Sequence, residues 1–316
     1  MLKKILSGSA VCLFVLSANA QMRQPIQYKD LVFPDVAVEK DQSYSPGGKG
    51  RSALFDLYQP KEDSTALRPL IIWMHGGGFK FGSKNVPGIR LWSNSFARRG
   101  YVCAAINYRL GKQDLRFTFT DLVKNCYRAV QDVRRAILFF RNNAARWRID
   151  TSRIILAGNS AGGMIALQAA YSSDAELLRL IGSADSDRVS GTVDPGTVSA
   201  IVNFWGGIFN PDWLEQGRVP IVSVHGKKDK IVAYDHRGYP LYGSLAIHRK
   251  ADSLGIPNRL KGYDDYSHEL QKFFNPLFAS QGTKRRWLEA GQFAADFLYD
   301  ELWIEGRGRT GAGQQK

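Results

Sequence analysis

The chain reads as an α/β protein, with a mostly parallel central sheet, helices on both faces and at most a small cap. Three observations predict this. Six strand candidates, near residues 70–75, 101–106, 153–157, 198–204, 219–224 and 258–263, are separated by helical stretches, the alternation expected of βαβ units. Leu122, Cys126, Val130, Val133, Ile137 and Phe140 recur at three- and four-residue steps, with Lys124, Arg128, Arg134, Arg135 and Arg141 on the other face, which marks a long amphipathic helix. Finally, the β-branched run Arg153-Ile154-Ile155-Leu156-Ala157 passes through Gly158-Asn159-Ser160-Ala161-Gly162 straight into the helical run of Met164, Ile165 and Leu167. At 316 residues and 44% hydrophobic, the chain is long and apolar enough for one large domain with a substantial core.

In chain order, Lys3 and Lys4 precede the apolar run Ala10–Leu16, and Ala18-Asn19-Ala20 offers a small-residue cleavage site. That is the pattern of an export signal over residues 1–20, and it implies a secreted or periplasmic protein. The run is shorter than the roughly 20 apolar residues of a membrane span, and no other membrane segment is visible. Residues 21–303 are expected to form one domain. Val32, Val36 and Val38 suggest an opening strand, and a Gly- and Ser-rich turn containing Pro46 leads into a strand at 52–58. The stretch 173–197 is the candidate cap; it is short, polar and rich in Ser, Asp and Gly, with no apolar lid. A last helix is expected at 284–302, followed by a disordered basic tail over 304–316.

The formal charge of +14 stays strongly positive without Lys3 and Lys4. Because Arg and Lys are scattered, a solvated basic face is the first reading; attraction to acidic glycans, envelope surfaces or anionic substrates is the second. No nucleic-acid-binding module is recognisable, and no internal repeat or metal-ligand cluster is present. Cys103 lies in a strand and Cys126 in the following helix. An oxidising compartment permits a disulfide between them, but a cysteine in a core strand reads first as a small buried hydrophobe.

A strand that turns directly into a helix at Gly-x-Ser-x-Gly forces Ser160 into a strained conformation and lifts its hydroxyl clear of the sheet. Gly158 and Gly162 suit the close passage of strand and helix. The motif is short enough to recur by chance, so the reading depends on partners. One is the run Leu70-Ile71-Ile72-Trp73-Met74-His75-Gly76-Gly77-Gly78-Phe79, an apolar strand that ends in three glycines. Such a turn can aim backbone N–H groups at an oxyanion; the candidate donors are Gly77, Gly78 and, after the serine, Ala161. A glycine-rich hairpin or phosphate turn is the alternative, but the Gly-Lys-Ser/Thr ending of a P-loop is absent.

His75-Gly76-Gly77-Gly78-Phe79 ahead of Gly158-Asn159-Ser160-Ala161-Gly162-Gly163 resembles the carboxylesterase/lipase branch of the α/β-hydrolase superfamily. Within it, the chain resembles the hormone-sensitive-lipase-like and bacterial acetyl/feruloyl-esterase-like groups, over roughly residues 50–303. Asn159 departs from the acidic residue usual there and is expected to alter local hydrogen bonding more than chemistry. In this fold the order is Ser, then Asp or Glu, then His. Asp229, three residues beyond the strand-terminal His225-Gly226, resembles the family's acid loop; it also reads as a turn residue, with Asp235 as the fallback acid. Of five histidines, His75 belongs to the glycine turn, His225 sits too close to the acid's own strand, and His236 and His248 fall in a polar stretch that suggests surface positions. His268 follows the last strand candidate, where the family places its base.

The resemblance implies a serine esterase that uses Ser160, Asp229 and His268 with an oxyanion hole of Gly77, Gly78 and Ala161, and that needs no metal or organic cofactor. Small-molecule or glycan-linked esters of short acids, such as acetyl or feruloyl esters, are the expected substrates. Phe79, Phe81, Trp205, Phe209 and Trp213 lie after strand ends, where they would line a pocket or simply pack. The rivals are a serine peptidase or amidase of the same fold and a non-catalytic binding protein on a hydrolase scaffold.

Overall fold

The computed structural model describes residues 24–45, 50–111, 118–182, 198–238 and 240–305, without the side chains of 304 and 305. The expected export signal, the greater part of the candidate cap and residues 306–316 of the expected tail lie outside the described residues. Eight strands form one sheet: β1 (Val36–Ser43), β2 (Leu54–Pro60), β3 (Arg68–Met74), β4 (Val102–Ile106), β5 (Ile149–Asn159), β6 (Val198–Phe204), β7 (Ile221–Gly226) and β8 (Asn258–Tyr263). Their spatial order is β1-β2-β4-β3-β5-β6-β7-β8. β2 runs antiparallel to β1 and to β4, and every later pairing is parallel.

Among the described residues six α-helices connect and cover this sheet: α1 (Pro87–Ala97), α2 (Phe119–Asn142), α3 (Ala161–Tyr171), α4 (Asp174–Ile181), α5 (Ser244–Ser253) and α6 (Gln281–Tyr299). The two-residue period of the strands splits the core in two. Leu70, Ile72 and Met74 of β3 pack with Val130 and Val133 of α2, Ile165 of α3 and Ile247 of α5. Ile71 and Trp73 face the other way, onto Trp92 and Phe96 of α1 and Ala290 and Ala294 of α6. Strands buried on both faces explain why the sequence shows continuous apolar runs rather than alternation. Cys103 and Cys126 are both free and buried. They belong to the two different cores, so the sheet separates them, and burial raises both thiols well above their ordinary range.

Two helix starts are set by hydroxyl caps, and the second differs from the sequence expectation. The Thr118 hydroxyl accepts from the Asp121 N–H (3.2 Å) while the Asp121 carboxylate accepts from the Thr118 N–H (2.9 Å), so α2 begins before its apolar stripe does. Likewise the Ser280 hydroxyl caps Thr283 N–H at 3.1 Å, placing α6 at 281–299 rather than 284–302. A π-helical turn, Asp300–Glu305, follows.

His248 is a correction. Expected at the surface, it is buried on the inner side of α5 at 3% exposure, with Nδ1 donating to Asn258 Oδ1 at 2.6 Å. Burial lowers its pKa to about 4, so the unfolded chain, titrating near the ordinary 6.5, takes up the proton first. Folding stability is then full above pH 6.5 and declines towards pH 4, by roughly 3 kcal/mol for this group. Urea unfolding of the wild type and a His248→Gln variant across that range should show a shallower decline in the variant.

Candidate active site

β5 is flanked by β3 and β6, and its carboxyl end delivers Ser160 directly into α3. Ser160 has φ 53° and ψ −119°, a left-handed conformation that costs about 1–3 kcal/mol for a residue with a side chain. Its surroundings hold it there: its N–H donates to Phe204 O at the end of β6 at 2.8 Å, and α3 passes so close to β3 that a Cβ at Gly162 would overlap Met74 O. The elbow geometry foreseen from the two glycines is therefore present, for the steric reason given.

Ser160, His268 and Asp229 are buried at 7%, 2% and 1% exposure, and the structure brings them together. The Ser160 hydroxyl lies 2.9 Å from His268 Nε2, and His268 Nδ1 lies 2.7 Å from Asp229 Oδ2. A carboxylate accepts only, so Nδ1 carries a hydrogen; the neutral ring then offers Nε2 as acceptor to the serine hydroxyl. Asp229 sits on the turn after β7, where Oδ1 accepts the N–H groups of Ile231 (2.8 Å) and Val232 (3.0 Å). Burial opposes its ionisation, but hydrogen bonds from His225 and His268 overcome this and hold the carboxyl well below the usual range. The fallback, Asp235, pairs instead with Arg249 at 3.1 Å.

His268 rides on a turn after β8 in which Glu269 and Leu270 both have φ 56°. α6 clamps that turn: Trp287 Nε1 donates to Glu269 O and Arg286 Nε to Leu270 O, each at 2.8 Å. Phe274 stands edge-on to the imidazole with ring centroids 5.0 Å apart. Burial raises the Glu269 carboxyl above its ordinary range despite the neighbouring His268.

The glycine turn follows β3. Gly76 N–H donates to Asn159 Oδ1 at 3.0 Å, and a Cβ at Gly76 would fall 3.2 Å from Ser160 Cβ, so the turn lies directly against the elbow. Asn159 thus links turn and elbow without a charge. Gly77 (φ 117°) and Gly78 (φ 59°) take conformations that disfavour side chains, while Gly77 O accepts from the N–H groups of Lys80 and Phe81. His75 braces the turn from behind. Its ring stacks on Tyr108 at 4.3 Å, Nδ1 lies 2.7 Å from Gly76 O, and burial lowers its pKa to about 4, which keeps it neutral near pH 7.

Of the two readings left open for the aromatic residues after strand ends, pocket lining or packing, packing holds for most. Phe79, Trp205, Phe209 and Trp213 are buried, and of the five only Phe81 is exposed, at 58%. They follow strand ends but turn inward, against residues such as Trp92 and Phe119. Exposed apolar side chains on the site's loops include Phe81, Ile231 and Phe273. A cavity of about 450 Å³ beside the turn is lined by His75, Gly82, Asn107, Tyr108 and Leu110 among others, and by none of the three triad residues. His225, set aside as a base, touches Asp229, with Nε2 3.3 Å from Oδ2.

The BD-FAE family model matches residues 55–210, the span that holds both the glycine turn and the elbow. The probable carboxylic ester hydrolase LipM of Mycobacterium tuberculosis is 31% identical over 140 residues, 44% of this chain and 30% of that protein. Secreted lipase 5 of Gibberella zeae is 36% identical over 104 residues, covering 31% and 19%. The family match and these relatives support the carboxylesterase branch of the α/β-hydrolase superfamily for this chain. It spans 19–30% of the length of the curated relatives it matches. Among solved structures, Thermogutta terrifontis esterase 2 phosphorylated by paraoxon aligns over 85% of this chain and 95% of its own, at 22% identity and TM-score 0.58. Esterase B from Lactobacillus rhamnosis, inhibited by a tributyrin phosphonate, aligns over 86% and 89%, at 20% identity and TM-score 0.53. These likenesses carry the α/β-hydrolase fold.

If the left-handed backbone at Ser160 is strained, the two residues that remove its hydroxyl should differ. Ser160→Gly fits φ 53° freely, whereas Ser160→Ala keeps the Cβ. The glycine variant is expected to be the more stable by about 1 kcal/mol, measured by denaturant unfolding.

Proposed function

We propose that this chain hydrolyses carboxylic esters through an acyl-enzyme on Ser160. What supports the reading is one observation above all: an unbroken hydrogen-bonded line from a strained serine hydroxyl through His268 to the buried, ionised Asp229. As Ser160 Oγ attacks the ester carbonyl, His268 Nε2 takes its proton, and Asp229 stabilises the imidazolium and fixes the ring's tautomer. The carbonyl oxygen becomes an oxyanion that the N–H groups of Gly77, Gly78 and Ala161 receive. Collapse breaks the C–O bond of the leaving alcohol, which takes the proton from His268. Water then attacks the acyl-enzyme by the same route, giving up a proton to His268 and releasing the acid and Ser160.

The substrate is proposed to be a short-chain ester, with acetyl and feruloyl esters of glycans as the natural candidates. Phe81, Ile231 and Phe273, exposed on the three site loops, suit an ester with a small apolar or aromatic half. No described helix is long and apolar enough to cross a membrane. Export is proposed from the sequence of residues 1–20: the N-terminal residue of the protein recovered outside the cytoplasm should be Gln21, and an intact Met1 there would exclude cleavage.

The direct test is hydrolysis of p-nitrophenyl esters from acetate to octanoate. Highest activity is expected on acetate or butyrate. Ser160→Ala should abolish it, and Asp229→Asn should lower kcat by about four orders of magnitude. An active Ser160→Ala variant, or a wild type inert at every chain length, would overturn the reading.

A further inference from the structure

The polar line does not end at Asp229. His225, the penultimate residue of β7, is fully buried. Its Nε2 lies 3.3 Å from Asp229 Oδ2 and 3.0 Å from Val232 O; both neighbours are acceptors, so Nε2 carries a hydrogen and shares it between them. On the ring's other side Nδ1 lies 2.8 Å from the Ser244 hydroxyl at the start of α5. That hydroxyl in turn accepts from Asn203 Nδ2 at 3.3 Å, while the Asn203 amide also donates to the Ser223 hydroxyl at 3.1 Å and its carbonyl accepts from Gly206 N–H at 3.0 Å. Ser244 therefore has a donor of its own and is free to give its hydrogen to Nδ1. The ring is held at both nitrogens.

Asp229 consequently has four N–H groups facing it, two towards each oxygen: those of Ile231 and Val232 bonded to Oδ1, that of His268 bonded to Oδ2, and that of His225, shared with Val232 O, 3.3 Å from Oδ2. The main-chain pair fixes where the carboxylate sits. The histidine pair decides how Oδ2 shares its electron density. We infer that His225 is a positioning residue for the proposed reaction, acting through Asp229: its N–H locks the rotation of the carboxylate and moderates the pull of Oδ2 on His268. Removing that donor leaves Oδ2 with one partner, makes it the stronger acceptor and favours the charged form of the His268 ring. The carboxylate also becomes free to rotate about Oδ1, which loosens the imidazole's aim at Ser160. The inference rests on the acyl-enzyme reading for its kinetic consequence but not for its geometry.

The other titratable groups facing this array are Glu269, next to His268, and Tyr234, edge-on to His225 with ring centroids 5.7 Å apart. Both are left in place by the substitutions that follow. A histidine that merely ties β7 to α5 would affect stability alone, so the test separates the two sides of the ring. His225→Gln sets an amide N–H near the position of Nε2 and keeps the donor to Asp229. His225→Asn is shorter, reaches towards Ser244 and gives up Asp229.

The experiment is an NMR titration of the His268 imidazole in the full chain, alongside kcat and KM for p-nitrophenyl acetate. In His225→Asn the midpoint of the His268 titration should rise by about half to one pH unit, and kcat should fall about tenfold with KM little changed. His225→Gln should restore both to near wild type. A His268 titration in His225→Asn that coincides with the wild type overturns the inference, whatever happens to stability. If His225→Asn does not fold, Ser244→Ala releases the same ring from its far side; a smaller rise in the midpoint supports the role and none refutes it. Inertness of the wild type towards every ester would defeat the acyl-enzyme reading alone, because the titration needs no substrate.

Discussion

The backbone at Ser160 is the constraint around which the molecule is arranged. A residue with a side chain is held at positive φ because the alternatives are blocked. The strand before it pairs in parallel with β3 and β6, its own N–H is committed to Phe204 O, and the helix after it passes within contact of Met74. Relaxing φ at this one residue would mean breaking a strand pairing or lifting α3 off the sheet, each worth more than the strain of about 1–3 kcal/mol. The strain persists because rigid elements on both sides over-determine it, and it is what exposes Oγ to both His268 and the glycine turn.

Much of this was legible in the sequence, and the part that was legible has a physical character in common. Gly158, Gly162 and Gly76–Gly78 are positions where only a missing side chain permits the geometry, so residue identity and conformation coincide. Asp229 and His268 follow strand ends, where an open parallel sheet gathers its ligand-binding groups, and it was the resemblance to the family's acid and base loops that pointed to them. The helix starts were less legible, since Thr118 and Ser280 cap through hydroxyls that lie outside the apolar pattern. The aromatic residues after strand ends left two readings open for the opposite reason. Position after a strand end does not say which way a side chain turns, and Trp205 and Phe209 turn into the core, where each buries more apolar surface than at the rim.

The histidines show the same limit most sharply. Five residues of one type occupy five environments. His268 touches a hydroxyl and a carboxylate. His225 shares that carboxylate but has a hydroxyl only on its other nitrogen. His75 is stacked and bonded to backbone, His248 is buried against an asparagine, and His236 lies exposed, stacked on Tyr242 at 4.2 Å. Nothing in the neighbouring sequence distinguishes the last two, which is why both were expected at the surface. Partner identity, supplied by strands and helices distant in the chain, decides whether an imidazole is base, brace or filler.

The two halves of the site, the glycine turn and the histidine turn, come from opposite sides of β5 and need a common support. The face of the sheet covered by α1 and α6 provides it. Trp73 of β3, the strand that ends in the glycine turn, stacks on Trp92 of α1 at 5.6 Å. Trp92 Nε1 donates to Trp287 O of α6 at 2.8 Å, and Trp287 Nε1 donates in turn to Glu269 O, beside His268. Three indoles thus span from the strand that ends in the glycine turn to the loop that carries His268, through one ring stack and two hydrogen bonds. Indoles suit this place because each offers a large rigid face together with one N–H. A site that must hold reacting groups to within a fraction of an ångström is better served by such a column than by loops alone. The exposed side chains Phe81, Ile231 and Phe273 are consequently free to suit a substrate without disturbing the frame behind them.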